Sequence, residues 1–293
     1  LTMAKSAALT LLEVVDVFEK IKPDLVFVIA DRFENLSVAM AASYMNIPLA
    51  HLQGGEITGS IDEKVRHAIT KLSDLHFVST ERSKKFVIQM GENVKTVFNT
   101  GCPSLDIINI LKLKKFSSKD LNQIKKDLKN KNYMVVLQHP VTNEIKETKK
   151  QIKNTLKAVI NICIRKKISA VWLWPNVDAG TDLISKELRI FKDRSPHKNK
   201  VIFIKNLVPE DYLSLLYNSK CLVGNSSSGI REASFLGIPS VNIGTRQSYR
   251  ETSKNVINTN HNPEKITKAI QYHLKKGKYK GSNLYGNGKA AKK

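Results

Sequence analysis

Cysteine is scarce in this chain: Cys102, Cys163 and Cys221 are the only three in 293 residues. They are scattered and odd in number, so they form neither a disulfide framework nor a CxxC zinc pattern. Each reads as a small core residue. No apolar run approaches about 18 residues, so no membrane-spanning helix is expected. The first twenty residues lack the charged region, apolar segment and cleavage site of a secretory leader, and a reducing cytoplasm fits. The phosphate-loop pattern GxxxxGK[ST] and the dinucleotide pattern GxGxxG are both missing, which disfavours ATP and NAD. Acidic residues are also few, 26 against 48 Lys and Arg, for a net charge of +22. That surplus has two readings, a nucleic-acid or anionic membrane surface, or lysines spread over solvated helix faces. Aromatics make up only 7%. The lysine clusters at 112–131, 146–157 and 265–280 are not interleaved with them as a stacking platform requires. The second reading is therefore preferred, with no nucleic-acid or membrane partner.

What is present is an alternation of apolar runs and amphipathic stretches, in a length that suits one large or two ordinary domains. Thr10 to Lys20 reads as a helix that Pro23 breaks. Leu25 to Ala30 is a continuous apolar run, the pattern of a strand buried on both faces. A helix from about Glu34 to Met45 and a strand over Ile47 to Leu52 complete a βαβ unit, with further strands over Leu75 to Ser79 and Val94 to Asn99. A highly charged helical stretch, 105–131, separates this first lobe (1–104) from a second alternation over 132–272. The second has strands near Tyr133 to Gln138, Ile168 to Trp174, Val201 to Ile204, Cys221 to Gly224 and Ile238 to Ile243. Residues 273–293 read as a basic tail, expected to be mobile over Lys275 to Lys293 if nothing follows it. Two such alternations imply two doubly wound lobes with a cleft between them.

The residues that carry chemistry cluster where strands end. His51 to His76 runs from an apolar strand through Gly54-Gly55-Glu56 into a helix. Ser60 and Glu63 fit a capping box there, and Asp62 and Arg66 stand four apart on a shared face. Asp31 ends a buried strand; it suits either function or a helix cap. His51, inside an apolar strand, reads as a satisfied core or cleft-wall residue. In the second lobe, Gln138-His139-Pro140 ends the first strand, and His139 is either functional or a hydrogen-bonded structural histidine. Gly224-Asn225-Ser226-Ser227-Ser228-Gly229 joins a strand to a helix whose first amides and dipole could bind an anion such as a diphosphate. Glu232 is placed to accept from ribose hydroxyls. The alternative is a well-capped helix and no more. Arg246 and Arg250, after the last apolar strand, could neutralise phosphate or make surface ion pairs.

The stretches DRFE (31–34), HLQGGEITGSIDEKVRHAITKL (51–72), TGCPSLD (100–106), QHPVT (138–142), GNSSSGIREASFLGIPSVNIGTRQSYRE (224–251) and YGNGKA (285–290) together resemble the hydrolysing UDP-N-acetylglucosamine 2-epimerases of sialic and legionaminic acid pathways. The resemblance implies an α/β GT-B fold, two Rossmann-like doubly wound lobes with the active site in the cleft. It implies conversion of UDP-N-acetylglucosamine and water to N-acetylmannosamine and UDP, by elimination to a 2-acetamidoglucal and rehydration. Neither a metal nor any other cofactor is implied. A nucleotide-sugar partner and a homo-oligomer (dimer or tetramer) are, and the location expected from the composition is cytoplasmic. By the same resemblance Asp31, Glu56, Asp62 and His139 are the catalytic candidates. Gln53, Arg66, Ser226, Ser227, Ser228, Gly229, Glu232, Arg246 and Arg250 would bind substrate, with His139 and the Ser227-Ser228-Gly229 amides on the diphosphate. Many family members carry Glu where this chain has Gln53. An amide has no useful basicity, so Glu56 or Asp62 takes that role, or Gln53 only positions the sugar. The family also implies a strand and glycine loop upstream and a crossover helix downstream, so the chain is expected to be a fragment. The alternatives are the same reaction on a GDP-sugar or a 2,4-diacetamido sugar nucleotide, or non-hydrolysing epimerisation; GGEITGSIDEKVRHA and GTRQ favour the hydrolysing branch.

Overall fold

The computed structural model describes residues 2–59, 61–111, 113, 118–129, 132–175 and 180–293. They form two compact units, residues 1–106 with 285–293, and residues 107–284.

The first unit runs α1 (Thr2–Ile21), β1 (Val26–Ile29), α2 (Phe33–Tyr44), β2 (Leu49–Leu52), α3 (Ile61–Leu72), β3 (Leu75–Val78), α4 (Glu81–Gln89) and β4 (Val97–Asn99); α5 (Ser104–Ile110) crosses the boundary. Its four strands lie in the order β1-β2-β3-β4, all parallel. The carboxyl ends of β1 and β2 are therefore neighbours, which brings Asp31 and Gln53 to one edge. One face of the sheet is covered: Val26, Val28, Leu49 and Ile69 are buried together with Ala39 and Ala42 of α2. The other is open. Phe27 and Ile29 are 56% and 55% exposed, and Phe27, Phe77 and Phe98 stack across it at 6.0 and 5.6 Å. The expectation that β1 is buried on both faces is corrected. A continuous apolar run fixes strand character, but burial of each face depends on what packs there.

The second unit runs α6 (Lys119–Leu128), β5 (Tyr133–Leu137), α7 (Thr148–Lys166), β6 (Ser169–Leu173), α8 (Thr181–Arg194), β7 (Val201–Ile204), α9 (Pro209–Asn218), β8 (Leu222–Gly224), α10 (Glu232–Leu236), β9 (Ser240–Ile243), β10 (Val256–Thr259) and α11 (Pro263–Lys276). The sheet order is β10-β9-β8-β5-β6-β7, all parallel. The chain winds outward from β5 to β7, returns, and winds the other way from β8 to β10. The order reverses between β5 and β8, the topological switch point where ligands bind in such sheets. β10 is a strand that the apolar pattern did not reveal. Helix boundaries follow local chemistry. Ser118 accepts from the Leu121 amide at 3.1 Å, Asn262 from the Lys265 amide at 2.9 Å, and Pro209 and Pro263 occupy the first turns of α9 and α11.

Two expectations about connections change. The charged stretch 105–131 is more than a link, since α6 buries Leu121, Ile124 and Leu128 against Tyr133 and Leu215. The basic end of the chain is docked, not mobile. Tyr285 is buried and its carbonyl accepts from the Cys102 amide at 2.7 Å. The Asp106 carboxylate accepts from the Ala290 and Ala291 amides at 2.8 and 2.9 Å. The lysines of α7, Lys149, Lys150, Lys153, Lys157 and Lys166, are all exposed.

At the switch point, Gly224 has φ +140°, and a Cβ there would lie 2.0 Å from the Leu137 carbonyl oxygen of β5. Replacement Gly224→Ala is expected to cost the second unit roughly 2–4 kcal/mol through strain and displaced strand pairing. Urea unfolding followed by the fluorescence of Trp172 and Trp174, both in that unit, measures it. An unchanged midpoint would contradict the close approach.

Candidate functional site

In the first unit the strand ends carry unusual backbone. Ala30 and Gln53, at the ends of β1 and β2, have φ of 60° and 65°, a left-handed conformation that costs a non-glycine residue roughly 1–3 kcal/mol and clusters at functional sites. Gly55 (φ +74°) turns the chain against α4, where a Cβ would meet the Ser83 carbonyl oxygen at 2.4 Å. The turn leads into α3, whose Arg66 is fully buried. Arg66 Nη2 forms an ion pair with Asp31, whose side chain keeps 21% of its exposure, and Nη1 donates to the Glu56 carbonyl oxygen. The local pairing of Arg66 with Asp62 is replaced by this pairing across the sheet end. Asp62 opens α3 and is half-buried. Glu63 accepts from the Thr58 amide at 2.6 Å. The expected capping partner Ser60 lies outside the described residues. The Glu56 side chain is buried. Gln53 donates from Nε2 to Cys102 Sγ at 3.2 Å, and Sγ lies 3.1 Å from Ser104 Oγ. Cys102 is thus a hydrogen-bonding partner of Gln53 as well as a core residue.

In the second unit Asn225, the first residue past β8, joins the two switch-point loops. Its Oδ1 accepts from the His139 amide at 2.7 Å and its Nδ2 donates to the His139 carbonyl at 2.8 Å. Arg246 Nη1 and Gln247 Nε2 both donate to the Asn225 carbonyl, at 3.3 and 3.0 Å. The His139 ring is buried, and burial, with the Arg246 charge as a lesser cause, pushes its pKa down to about 3. It is a neutral imidazole at physiological pH, able to donate one N–H. His51 is likewise neutral, pushed down to about 4 mainly by burial.

The turn 226–229 differs from expectation. It is a 3₁₀ turn over Ser227–Gly229, followed by a helix of only five residues. Two of its amides are already used: Ser228 donates to Ser226 Oγ at 3.3 Å and Gly229 to the Ser226 carbonyl at 3.1 Å, while Ile230 and Arg231, just past the turn, donate to the Ser227 carbonyl at 3.0 Å. The Ser228 and Gly229 amides are therefore not available to an anion without reopening the turn. Ser226 and Ser227 remain half-buried at its rim. Ser228 Oγ instead meets the Tyr212 hydroxyl at 2.5 Å, and burial raises the Tyr212 pKa while the nearby Glu232 charge adds to that. Arg246 and Arg250 are half-buried, not surface residues. The sequence reading left Asn225, Gln247 and Tyr212 without roles. For Asn225 the available signal was a polar residue directly after the glycine that ends a strand.

A family model described as UDP-N-acetylglucosamine 2-epimerase matches residues 1–293. The chain belongs to the UDP-N-acetylglucosamine 2-epimerase family. The match spans the full chain and gives no support to the expected missing segments. A Legionella pneumophila UDP-N,N'-diacetylbacillosamine 2-epimerase (hydrolyzing) is 39% identical over 100% of this chain and 75% of its own length. A Campylobacter jejuni GDP/UDP-N,N'-diacetylbacillosamine 2-epimerase (hydrolyzing) is 39% identical over 88% of this chain. The match spans 66% of that relative's length, just under two thirds. The Methanocaldococcus jannaschii UDP-GlcNAc 2-epimerase, solved with UDP-GlcNAc and UDP, superposes with a TM-score of 0.83 at 22% identity over 98% of this chain and 79% of its own. The fold is thus of the family's GT-B type, built from two Rossmann-like lobes. Among the described residues no helix is long and apolar enough to cross a membrane.

Because the folded His139 binds its proton less tightly than the unfolded residue (about 3 against about 6.5), its contribution to stability is complete above pH ~6.5. It is lost as pH falls from there towards 3, by up to about 1.4 kcal/mol per pH unit. Urea midpoints of the second unit, read by tryptophan fluorescence at pH 7.5 and 5.5, are expected to fall with acid. His139→Asn should flatten that fall. An equal pH dependence in the variant would mean that His139 is not the group concerned.

Proposed function

We propose that the chain is a hydrolysing sugar-nucleotide 2-epimerase acting on a nucleoside-diphosphate-linked 2,4-diacetamido sugar of the N,N'-diacetylbacillosamine type. The observation that carries the chemistry is Asp31. It is a partly exposed carboxylate at a strand end, held by a fully buried guanidinium, in a chain whose family epimerises C2 of a nucleotide sugar. The substrate choice rests on two relatives at 39% identity whose names specify that sugar.

In the proposed reaction a carboxylate removes the C2 proton. The bond from C1 to the diphosphate oxygen breaks, a C1–C2 double bond forms, and the nucleoside diphosphate leaves. Water then adds its hydroxyl to C1 while a proton enters C2 from the opposite face. The products are the free C2 epimer and the nucleoside diphosphate. Asp31 and Asp62 are the proton-transfer groups and buried Glu56 is a third candidate, with Gln53 positioning the sugar. Arg66 acts by holding Asp31. The diphosphate is held by Arg246, the His139 ring N–H and the Ser226 and Ser227 hydroxyls, with Arg250 adding positive charge. Glu232 takes the ribose hydroxyls. Ser228 and Gly229 serve by shaping the turn. A homo-oligomer, which the resemblance drawn above implies, and a cytoplasmic location are part of this reading.

A second reading, UDP-N-acetylglucosamine as substrate, is favoured by a Neisseria meningitidis relative of that name at 34% identity over 92% of this chain. NMR of reactions with UDP- and GDP-linked diacetylbacillosamine and with UDP-N-acetylglucosamine separates the two. The expected result is free nucleoside diphosphate and free manno-configured sugar from the diacetamido substrate at the higher kcat/KM, with deuterium at C2 when run in D₂O. Accumulation of an epimerised sugar still linked to UDP would replace the hydrolytic reading with the non-hydrolysing one. Asp31→Asn and Asp62→Asn are each expected to lower kcat by about 10²–10⁴-fold. Near-normal turnover in either would remove that residue from the mechanism.

A further inference from the structure

His51 has no solvent-accessible surface, so it cannot touch a substrate, yet both its ring nitrogens are engaged. Nε2 lies 2.9 Å from the Ala30 carbonyl oxygen, and Nδ1 lies 3.1 Å from Thr70 Oγ1. A carbonyl only accepts, so Nε2 carries the proton. Burial keeps the ring neutral, so Nδ1 is an acceptor and the Thr70 hydroxyl donates to it. That hydroxyl also lies 3.0 Å from the Arg66 carbonyl oxygen, so its single proton is shared between two acceptors. Arg66 in turn forms the ion pair with Asp31, the residue that follows Ala30. The contacts close on themselves: His51, Ala30, Asp31, Arg66, Thr70 and back to His51. The ring has no slack on its inner side. A Cβ on Gly54 would lie 2.9 Å from Thr70 Oγ1 and 3.0 Å from His51 Nδ1. Within it Ala30 is held left-handed at φ 60°, and the His51 N–H donates to its carbonyl.

We propose that His51 is a positioning residue that, through Thr70 and the Ala30 carbonyl, fixes the direction of the Asp31 carboxylate for proton transfer. The proposal rests on the role given to Asp31 above. Hydrogen bonds on both sides of Asp31, one to the backbone before it and one to the guanidinium on it, remove the freedom to rotate away from the sugar. Misplacement by about 1 Å is enough to cost on the order of 10²-fold in rate.

The test compares His51→Leu, which keeps bulk and loses both hydrogen bonds, with His51→Gln, whose amide nitrogen can reach the Ala30 carbonyl. Thr70→Val and Thr70→Ser form a second pair should His51→Leu fail to fold. On the sugar nucleotide that the wild type turns over, His51→Leu and Thr70→Val are expected to lower kcat about 10–100-fold with KM changed less than about threefold. His51→Gln and Thr70→Ser should recover most of it. Wild-type kcat in the Leu and Val variants overturns the proposal, and so does a failure of both conservative variants to recover rate. Crystal structures of the same variants give the readout that does not need turnover. Ala30 is expected to leave its left-handed conformation, or Arg66 to part from Asp31, in His51→Leu and not in His51→Gln. If the wild type turns over none of the sugar nucleotides, the proposed function fails. The structures alone then decide whether His51 orients Asp31, and an unmoved carboxylate overturns that too.

Discussion

A guanidinium shut away from water must be neutralised where it stands, because the cost of stripping its hydration is several kcal/mol unless a counter-charge and hydrogen bonds replace it. Arg66 is in that position. Its two terminal nitrogens reach Asp31 and the Glu56 carbonyl, and so tie together the end of β1, the glycine turn after β2 and the first turns of α3. The strained backbone at Ala30 and Gln53 is tolerated inside this arrangement. The same contact that satisfies Arg66 orients the carboxylate to which the chemistry is assigned, so structural necessity and proposed function coincide in one ion pair.

The second unit reaches its site by different means. There the order of strands reverses between β5 and β8, and the two loops that leave this point are sewn together through neutral groups. Asn225 spans the His139 backbone in both directions, and Arg246 and Gln247 converge on the Asn225 carbonyl. A buried imidazole beside an arginine stays uncharged, which suits a donor to a phosphate oxygen and does not suit a proton reservoir. In the proposed reaction the charge for binding a dianion therefore falls to the arginines, and the proton transfers to the carboxylates.

Much of this was legible in the chain. Apolar runs marked nine of the ten strands among the described residues to within three residues at each end, because strand character follows from local composition. Gly-Gly-Glu after β2, His139 after β5 and the Gly224–Gly229 stretch after β8 were identifiable because ligand groups in parallel sheets sit just past strand ends. The strand β10 was missed because Val256-Ile257-Asn258-Thr259 is short and half polar. It pairs only with β9 at the sheet's edge. The open face of the first sheet was misread because Phe27 and Ile29 look the same in sequence whether or not anything covers them.

By itself the sequence determined the α/β class, the positions of the strand ends, the family and the residue types that could do the chemistry, since these follow from local pattern and from motifs read in order. Tertiary structure alone decided which of those residues meet. Arg66 had a carboxylate four residues away at Asp62, the partner that helix geometry favours, and took Asp31 instead, thirty-five residues back, because parallel pairing of β1 and β2 brings their ends together inside a buried space. The Ser228 and Gly229 amides looked free for an anion and are consumed by the turn itself. Hydrogen bonds and ion pairs across a fold depend on the register of strands and on what is buried, and neither is written in the spacing of residues along the chain.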